Sequence, residues 1–242
     1  GEEASFIVIA DGLTALPMAT SQDHKRVGNG DTGPNTGGMG AYSPAPVVDD
    51  AVHARIMREV IEPTLRGMTS EGNPYRGFLY AGLMIAPDGS PKVIEFNCRF
   101  GDPETQPIMM RLQSDLVALC NAAMDGELAA TDAQWDARAA LGVVLAAGGY
   151  PGDYDKGLPI EGLDAGEAQD ANSKIFHAGT ALRDGGIVTS GGRVLCVTAL
   201  GRDIREARQR CYAALEGVRF AGMQYRSDIG WRALERYSQN EP

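Results

Sequence analysis

The sequence lacks any run of apolar residues long enough to cross a membrane. A spanning helix needs roughly 18 or more such residues, and the richest stretch, residues 139–152, is interrupted by glycine and proline. The N-terminal segment begins at Gly1 and has neither the basic flank nor the cleavage pattern of a signal peptide. We therefore expect no membrane partner, and a chain that was either processed or is a piece of a longer polypeptide.

Positive charge is also in short supply. The chain has 22 lysines and arginines against 32 aspartates and glutamates, a formal net charge of −10, which excludes a broad surface for DNA or RNA and leaves only a local phosphate site. Four arginines do cluster, but Asp203 and Glu206 are interleaved with them, which is typical of a solvated helix face. They are Arg202, Arg205, Arg208 and Arg210.

Cysteine and histidine are too sparse to indicate a zinc site or a disulfide framework. The four cysteines lie far apart, without a CxxC pair, so we expect reduced thiols in a cytoplasmic protein. His53 falls in a predicted helix and His177 in a predicted strand, where each is expected to be structural or exposed. His24 lies in a charged tetrapeptide and is either a substrate contact or a bystander. The sequence contains no HExxH, no Ser-His-Asp spacing and no P-loop.

Periodicity and turn residues predict an α+β fold, with an antiparallel sheet and helices in the first part of the chain and a small β-rich domain after it. The start is a hairpin that turns at Asp11-Gly12. A long loop (residues 21–46) precedes a helix capped by Asp49 or Asp50, which Pro63 should kink or shorten. Strands at 77–85 and 91–100 precede a helix capped by Ser114. The buried stripe of that helix is Leu116, Leu119, Cys120 and Ala123.

A polar segment near residue 132 predicts a domain boundary, with domains at 1–132 and 133–242. The second domain should contain short strands and one helix that begins at Asp203, where Glu206 completes a capping box. The buried side of that helix is predicted to be Ile204, Ala207, Cys211, Ala214 and Leu215.

The chemistry-bearing pattern is the strand VIEFNCRF at residues 93–100. Since side chains alternate along a strand, Glu95, Asn97 and Arg99 should share one face while Phe96, Cys98 and Phe100 face the core. A carboxylate and an amide supply oxygen ligands for Mg²⁺ on phosphates, and an arginine can grip a phosphoryl oxygen. Taken alone, this pattern also suits the wet face of an amphipathic strand.

Two glycine-containing segments add weight to the functional interpretation. After the strand, Asp102 is placed as a helix cap, Pro103 as a first helical residue, and Pro107 should hold the segment irregular. In the long loop, the turn at residues 37–40 could offer backbone N–H groups to an anion. The spelling Gly28-x-Gly30-x-x-Gly33 matches a dinucleotide fingerprint but leads into Pro34 instead of a helix, so we discount it.

With these motifs, the chain resembles the phosphoribosylamine–glycine ligase family of the ATP-grasp superfamily. The resemblance runs along most of the chain, in DTGPNTGGMGAYSPAP, VIEFNCRFGDPETQP, GGRVLCVTALG and DIGWRALER among other segments, and RFGDPETQ (99–106) matches the family signature. It implies ligation of glycine to 5-phosphoribosylamine at the expense of ATP, through a glycyl phosphate, in purine biosynthesis.

The resemblance also implies roles for individual residues. Glu95 and Asn97 would hold Mg²⁺ or Mn²⁺ on the ATP phosphates, and Arg99 and Lys25 would be catalytic. The remaining residues would border the glycine and phosphoribosylamine pocket: Asp23, His24, Arg26, Gly37, Gly38, Met39, Gly40, Asp102 and Glu104. Many ATP-grasp enzymes place an additional metal-binding carboxylate on the preceding strand. Here that strand, residues 78–85, contains no acidic residue.

In the family, the segment GEEASF falls well inside the chain, after a substrate domain and a lid domain. The resemblance therefore implies an incomplete portion, the C-terminal half of an ATP-grasp core (residues 1–132) followed by a small β-rich C-terminal domain. We expect that this portion cannot turn over by itself, because ATP would be held by its phosphates alone in open water. A separately supplied N-terminal half is a possible partner. The alternatives are another ATP-grasp carboxylate–amine ligase and a non-catalytic binding or scaffolding module.

Overall fold

The computed structural model describes residues 1–163 and 172–240. The chain forms two compact units whose segments alternate along the sequence. Unit 1 contains residues 1–22, 44–101 and 111–136, and unit 2 contains residues 23–43, 102–110 and 137–242. The predicted domains 1–132 and 133–242 stay a prediction, since the two units are defined by packing contacts and are not separated by one position in the sequence.

The strands, in chain order, are β1 (Glu2–Asp11), β2 (Ala15–Pro17), β3 (Gln22–Asp23), β4 (Arg26–Gly28), β5 (Thr32–Asn35), β6 (Gly40–Ser43), β7 (Arg76–Ile85), β8 (Pro91–Asn97), β9 (Ala139–Ala146), β10 (Ser173–His177), β11 (Thr180–Arg183), β12 (Gly186–Thr189) and β13 (Arg193–Gly201). The α-helices are α1 (Asp50–Ile56), α2 (Glu62–Ser70), α3 (Thr105–Arg111), α4 (Leu116–Asp125), α5 (Ile204–Leu215) and α6 (Trp231–Asn240). None of the helices in these described ranges is both long and apolar enough to span a bilayer.

Unit 1 is built on a four-stranded sheet in the order β2-β1-β7-β8, with antiparallel neighbours. The predicted hairpin at the start is confirmed: the Asp11 carboxylate accepts hydrogen bonds from the N–H groups of Leu13 and Thr14 (3.0 and 2.7 Å) and so closes the turn. Alternate residues of β1 and β7 pack against the helices. The core includes Phe6, Val8, Ile56, Ile61, Leu65, Leu79 and Leu83.

The helix after the long loop is confirmed, and Asp49 caps it by accepting from the N–H of Val52 (2.8 Å). Of the two effects expected at Pro63, the shortening is wrong, whereas the regular α-helix is interrupted directly before the proline. A π-helical turn at Met57–Ile61 precedes α2, which places Pro63 in the first turn of α2, where a missing N–H is tolerated. The helix therefore continues to Ser70.

The predicted cap of α4 also needs correction. Asp115, and not Ser114, caps this helix, because its carboxylate accepts from the N–H groups of Val117 and Ala118 (2.8 and 3.2 Å). The Ser114 hydroxyl accepts instead from the N–H of Gln134 (2.8 Å). The helix packs on β1 and β7.

Unit 2 is built around the sheet β10-β13-β9-β6-β3. Helix α5 covers this sheet, and its predicted cap at Asp203 and all five predicted buried residues are confirmed. Helix α6 was not predicted, although Trp231 and Leu234 show helical spacing; its Ala233 and Leu234 pack on the core of unit 2. Antiparallel sheets with helices thus confirm the α+β class.

Candidate functional site

The Glu95–Asn97 pair lies on β8, the last strand of the unit 1 sheet. Glu95 stands opposite Gly82 and Asn97 opposite Tyr80, which confirms that the two side chains share a face. The Asn97 Nδ2 donates a hydrogen bond to Glu95 Oε1 (3.1 Å). Gly82 gives the Glu95 stem room, since a Cβ there would lie 3.2 Å from Glu95 Cγ.

Two expectations about this strand are wrong. The strand ends at Asn97, so Arg99 does not continue the same face, and its guanidinium donates to the carbonyl of Phe100 (2.8 Å). Phe96 is 42% exposed and Cys98 is exposed, because β8 is the end strand of its sheet and has a neighbour on one side. Phe100 is half-buried against Phe78, with ring centroids 4.9 Å apart.

The donor atoms on this strand fit a hard divalent cation. The bond between Asn97 and Glu95 leaves Glu95 Oε2 and Asn97 Oδ1 without a hydrogen-bond partner among the described residues, and carboxylate and amide oxygens are ligands that Mg²⁺ prefers. Across the same described ranges, no three His, Cys, Asp or Glu side chains cluster closely enough to hold a metal. These two residues would thus be the chain's contribution, with phosphate oxygens and water supplying the rest.

The signature segment after the strand also differs from expectation. The Asp102–Pro103 peptide bond is cis and α3 begins at Thr105, so Asp102 is not a helix cap and Pro103 is not its first residue. Pro107 does not prevent the helix, because it occupies the first turn, where N–H groups have no intrahelical acceptor. In unit 2, Asp102 is exposed while Glu104 is buried.

The long loop folds into ordered structure. Asp23 ends β3 and Arg26 begins β4, which pairs with β5 across a 3-10 turn at Asn29–Asp31. The glycines of the discounted dinucleotide pattern thus belong to a hairpin and not to a strand–helix turn, as predicted. The Arg26 side chain is exposed and donates to the carbonyl of Gly33 (2.7 Å), and the Lys25 carbonyl accepts from Thr36 N and Oγ1 (2.7 and 2.9 Å).

The turn at residues 37–40 does not offer the expected cradle of free amides. The N–H of Gly37 donates to the Tyr150 hydroxyl (3.0 Å), that of Gly38 to Thr36 Oγ1 (2.9 Å), and that of Met39 to the His24 carbonyl (2.8 Å). These glycines instead permit close packing. At Gly40 (φ +155°), an added Cβ would lie 2.6 Å from the carbonyl oxygen of Gly142.

His24 is buried and lies in a polar cluster that the sequence did not reveal. Its Nε2 accepts from the N–H of Gly230 (3.0 Å), while its Nδ1 is 3.8 Å from Asp31 Oδ1, too far for a hydrogen bond. Burial lowers the pKa of His24, so the ring is neutral at pH 7. Of its two possible roles, this position makes His24 a structural anchor of the loop.

Arg226 is the centre of that cluster, and its side chain is 0% exposed. Its guanidinium donates to both carboxylate oxygens of Asp228 (2.7 Å each), to Asp31 Oδ1 (2.8 Å) and to the carbonyl of Arg26 (3.1 Å). Arg232 donates to the other Asp31 oxygen (2.6 Å). No spacing rule joins residues 195 positions apart, although the segment DIGWRALER, quoted for its resemblance, contains Asp228 and Arg232.

The charges in this cluster balance one another. The nearby His24, together with hydrogen bonds from Arg226 and Arg232, holds the pKa of the Asp31 carboxyl well below its ordinary value, against the effect of partial burial. For Asp228, burial alone would raise the pKa of the carboxyl, but hydrogen bonds from Arg226 and Gly30 outweigh it and lower that pKa. Both carboxylates are therefore ionised at neutral pH and hold the β4–β5 hairpin against the segment that precedes α6.

The other two histidines lie where predicted. His53 is in α1, half-buried with its ring 5.0 Å from that of Phe6, and His177 ends β10, where its Nδ1 is 3.0 Å from the Thr180 hydroxyl. Neither lies among the predicted site residues.

Two family models match the chain. Phosphoribosylglycinamide synthetase, ATP-grasp (A) domain, matches residues 1–105, and phosphoribosylglycinamide synthetase, C domain, matches residues 140–232. The phosphoribosylamine–glycine ligases of Vibrio cholerae and Salmonella typhimurium are 66% identical over 236 and 237 residues, 98% of this chain in each case. The matches cover 54% and 55% of those proteins, so the chain spans about half the length of the curated relatives it matches.

Solved structures agree with these matches. A phosphoribosylamine–glycine ligase from Thermotoga maritima, 38% identical, aligns with a TM-score of 0.83 over 95% of this chain and 56% of its own. The biotin carboxylase domain of Hydrogenobacter thermophilus 2-oxoglutarate carboxylase, solved with MgADP, aligns at 13% identity with a TM-score of 0.61, over 92% of this chain and 46% of its own. At that identity the second similarity shows the fold alone.

Proposed function

Because the chain belongs to the phosphoribosylglycinamide synthetase family of the ATP-grasp superfamily, we propose that it is the metal-binding portion of an ATP-dependent ligase that joins glycine to 5-phosphoribosylamine. The observation that carries the proposal is the Glu95–Asn97 pair, with Arg99 two positions after Asn97. The enzyme would act in the cytoplasm, which suits its four free cysteines. Its partners would be these substrates and an N-terminal half of the same enzyme.

The proposed reaction has two steps. The glycine carboxylate attacks the γ-phosphorus of ATP, which forms glycyl phosphate and releases ADP. The amine of 5-phosphoribosylamine then attacks the glycyl carbonyl carbon, an amide bond forms, a proton is lost from nitrogen, and phosphate leaves. Both steps concentrate negative charge on phosphoryl oxygens, so positioning and charge neutralisation are what the protein must supply.

Residues of unit 1 would bind the phosphates. Glu95 and Asn97 would hold Mg²⁺ or Mn²⁺, which neutralises charge on the ATP phosphates. Arg99, exposed after the strand end, would stabilise the transferring phosphoryl group through its planar guanidinium. Residues of unit 2 would bind the other substrates, with Lys25 as a second catalytic cation. The predicted residues are Asp23, His24, Arg26, Gly37, Gly38, Met39, Gly40, Asp102 and Glu104. Of these, the buried residues, His24 among them, would shape the loop without contacting a substrate.

The test is ADP release with Mg²⁺, glycine and freshly prepared 5-phosphoribosylamine. We would compare this chain alone with a chain extended upstream to the length of its relatives. Activity is expected in the extended chain only. E95Q should lower kcat/KM by about a hundredfold or more, the effect of losing a charged ligand at a phosphoryl-transfer site.

Glu127→Gln provides the matched control, because Glu127 is an exposed carboxylate in unit 1 away from β8, and it should leave activity unchanged. Equal activity of E95Q and the unaltered extended chain would contradict the metal assignment. Activity of the extended chain with a different acid or amine would indicate another ATP-grasp ligase. No activity with any acid and amine would favour a binding or scaffolding module.

A further inference from the structure

Two signature segments of unit 2 lie in direct contact. Gly38 (φ +114°) approaches Pro103 so closely that an added Cβ would lie 2.3 Å from Pro103 Cδ. That separation is far below van der Waals contact, and the positive φ also disfavours any other residue. Glycine is therefore required for the turn at residues 37–40 to meet the segment that begins at Asp102.

One guanidinium joins these two segments. Arg193, at the start of β13, donates through Nη1 to the carbonyls of Gly37 (2.6 Å) and Asp102 (2.9 Å), and through Nη2 to Asp102 Oδ2 (2.8 Å). The Tyr150 hydroxyl accepts from the N–H of Gly37 on the same turn (3.0 Å). A planar fork can serve three acceptors at once, which a lysine ammonium at the same place would not reproduce.

These contacts orient the Asp102 carboxylate. Its Oδ2 is held by Arg193, whereas its Oδ1 has no hydrogen-bond partner among the described residues, and the side chain is 53% exposed. An exposed carboxylate that is fixed at one oxygen is an acceptor suited to an ammonium or amine N–H. Its Arg193 partner is only 21% exposed, and so is shielded from direct competition by solvent.

We propose that Arg193 is a positioning residue that fixes Asp102 and the turn at residues 37–40 so that Asp102 Oδ1 accepts an N–H from an amine-bearing substrate. The inference rests on the proposed ligase function, in which both glycine and 5-phosphoribosylamine carry nitrogen. It deepens that function by separating the amine-binding residues of unit 2 from the phosphate-binding residues of unit 1.

The test measures KM and kcat for each substrate in the extended, active chain, with R193M, R193K, D102N and the double variant R193M/D102N. R193M should raise the KM for an amine-bearing substrate by about ten- to a hundredfold, the effect of misplacing one charged acceptor, with the KM for ATP within about twofold. R193K should restore little, because it lacks the fork. R193M and D102N should be non-additive, since one acts through the other.

Arg183→Met is the control, because Arg183 is an exposed arginine that ends β11. Additive effects of R193M and D102N, or an equal rise in the KM for ATP, would overturn the inference. If the extended chain shows no ligase activity, the proposed function has failed, and hydrogen exchange on this 242-residue chain still tests the positioning. R193M should speed exchange of the Gly37 and Gly38 amides about tenfold or more, and unchanged protection there would refute it.

Discussion

At the scale of single residues, His24 carries the clearest link between structure and pH. The ring is buried beside the ionised Asp31 and two arginines, Arg226 and Arg232, and only its Nε2 is satisfied, by Gly230. Burial lowers the pKa of His24 from its ordinary value of 6.5 in spite of the neighbouring carboxylate. Protonation would place a positive charge next to two guanidinium groups, so the folded state favours the neutral form of the ring.

Acid should therefore destabilise the fold through this histidine. Between the lowered pKa and 6.5 the unfolded chain binds more protons than the folded chain, so stability falls as pH drops through this window. From about pH 7.5 to about pH 5.5, the loss is at most about 1.4 kcal/mol, the limit for a histidine that stays neutral in the folded state over that range. Urea unfolding at both pH values measures it.

The substitution that isolates this effect is H24Q, whose amide oxygen can still accept from Gly230. H24Q should reduce the pH dependence by that amount, while H177Q, at an exposed position, should leave it unchanged. Burial lowers the pKa of His53 as well, so some dependence should persist in H24Q. An identical pH dependence in H24Q and the unaltered chain would show that His24 does not resist protonation in the fold.

At the scale of secondary-structure elements, β8 combines the proposed metal-binding face with an exposed edge. Opposite β7, Ile94 is an extra residue between Val93 and Glu95, which makes a β-bulge. Val93, Ile94 and Phe96 are 44%, 50% and 42% exposed; we call these three residues the edge patch. An exposed apolar end strand is a template for pairing with another chain.

We expect this 242-residue chain to self-associate through the edge patch. Because burying a lysine ammonium in such a contact is costly, I94K should raise the concentration for half-association by about tenfold or more. Sedimentation velocity over a concentration series measures this. Leu182, 73% exposed on β11, is the matched position, and L182K should leave association unchanged; a chain that stays monomeric at all concentrations would contradict the prediction.

Secondary-structure elements that are determined by short-range interactions could be predicted from the sequence. Helix α5 agrees in its cap and in its buried side because capping and helical periodicity are short-range effects. The side chains of β8 beyond Asn97 could not be placed, since the strand end, the bulge and the single neighbouring strand depend on tertiary pairing. By contrast, the Glu95–Asn97 pair was found by spacing, because side chains two positions apart share one face of a strand. Arg193 could not be found, because its three acceptors come from distant segments.

At the scale of the whole molecule, the chain passes between the two units five times. Each unit has its own apolar core. In unit 2, the core includes Met39 and Tyr42, both 0% exposed, which come from the long loop, and β6 pairs with β9. A boundary drawn at one position therefore removes part of the core of unit 2.

The fragment 133–242 alone should not fold cooperatively. It lacks Met39 and Tyr42, whose burial stabilises by roughly 2–3 kcal/mol each. It also leaves the buried Arg226 with Asp228 but without Asp31, and the lost charged hydrogen bond costs about 1.5–3 kcal/mol. Together these losses approach the typical net stability of about 5–15 kcal/mol. Urea unfolding followed by near-ultraviolet circular dichroism would measure the outcome.

A complementation experiment, in which the missing strand β6 is supplied as a separate segment, tests this prediction more specifically. Co-expression with residues 22–44, which carry β6 and Asp31, should recover part of the cooperative transition. The same segment with D31N should recover less, because it returns the core side chains but not the carboxylate that Arg226 and Arg232 share. If residues 133–242 alone unfold at the same urea concentration as unit 2 in the whole chain, the loop is not part of the stable core.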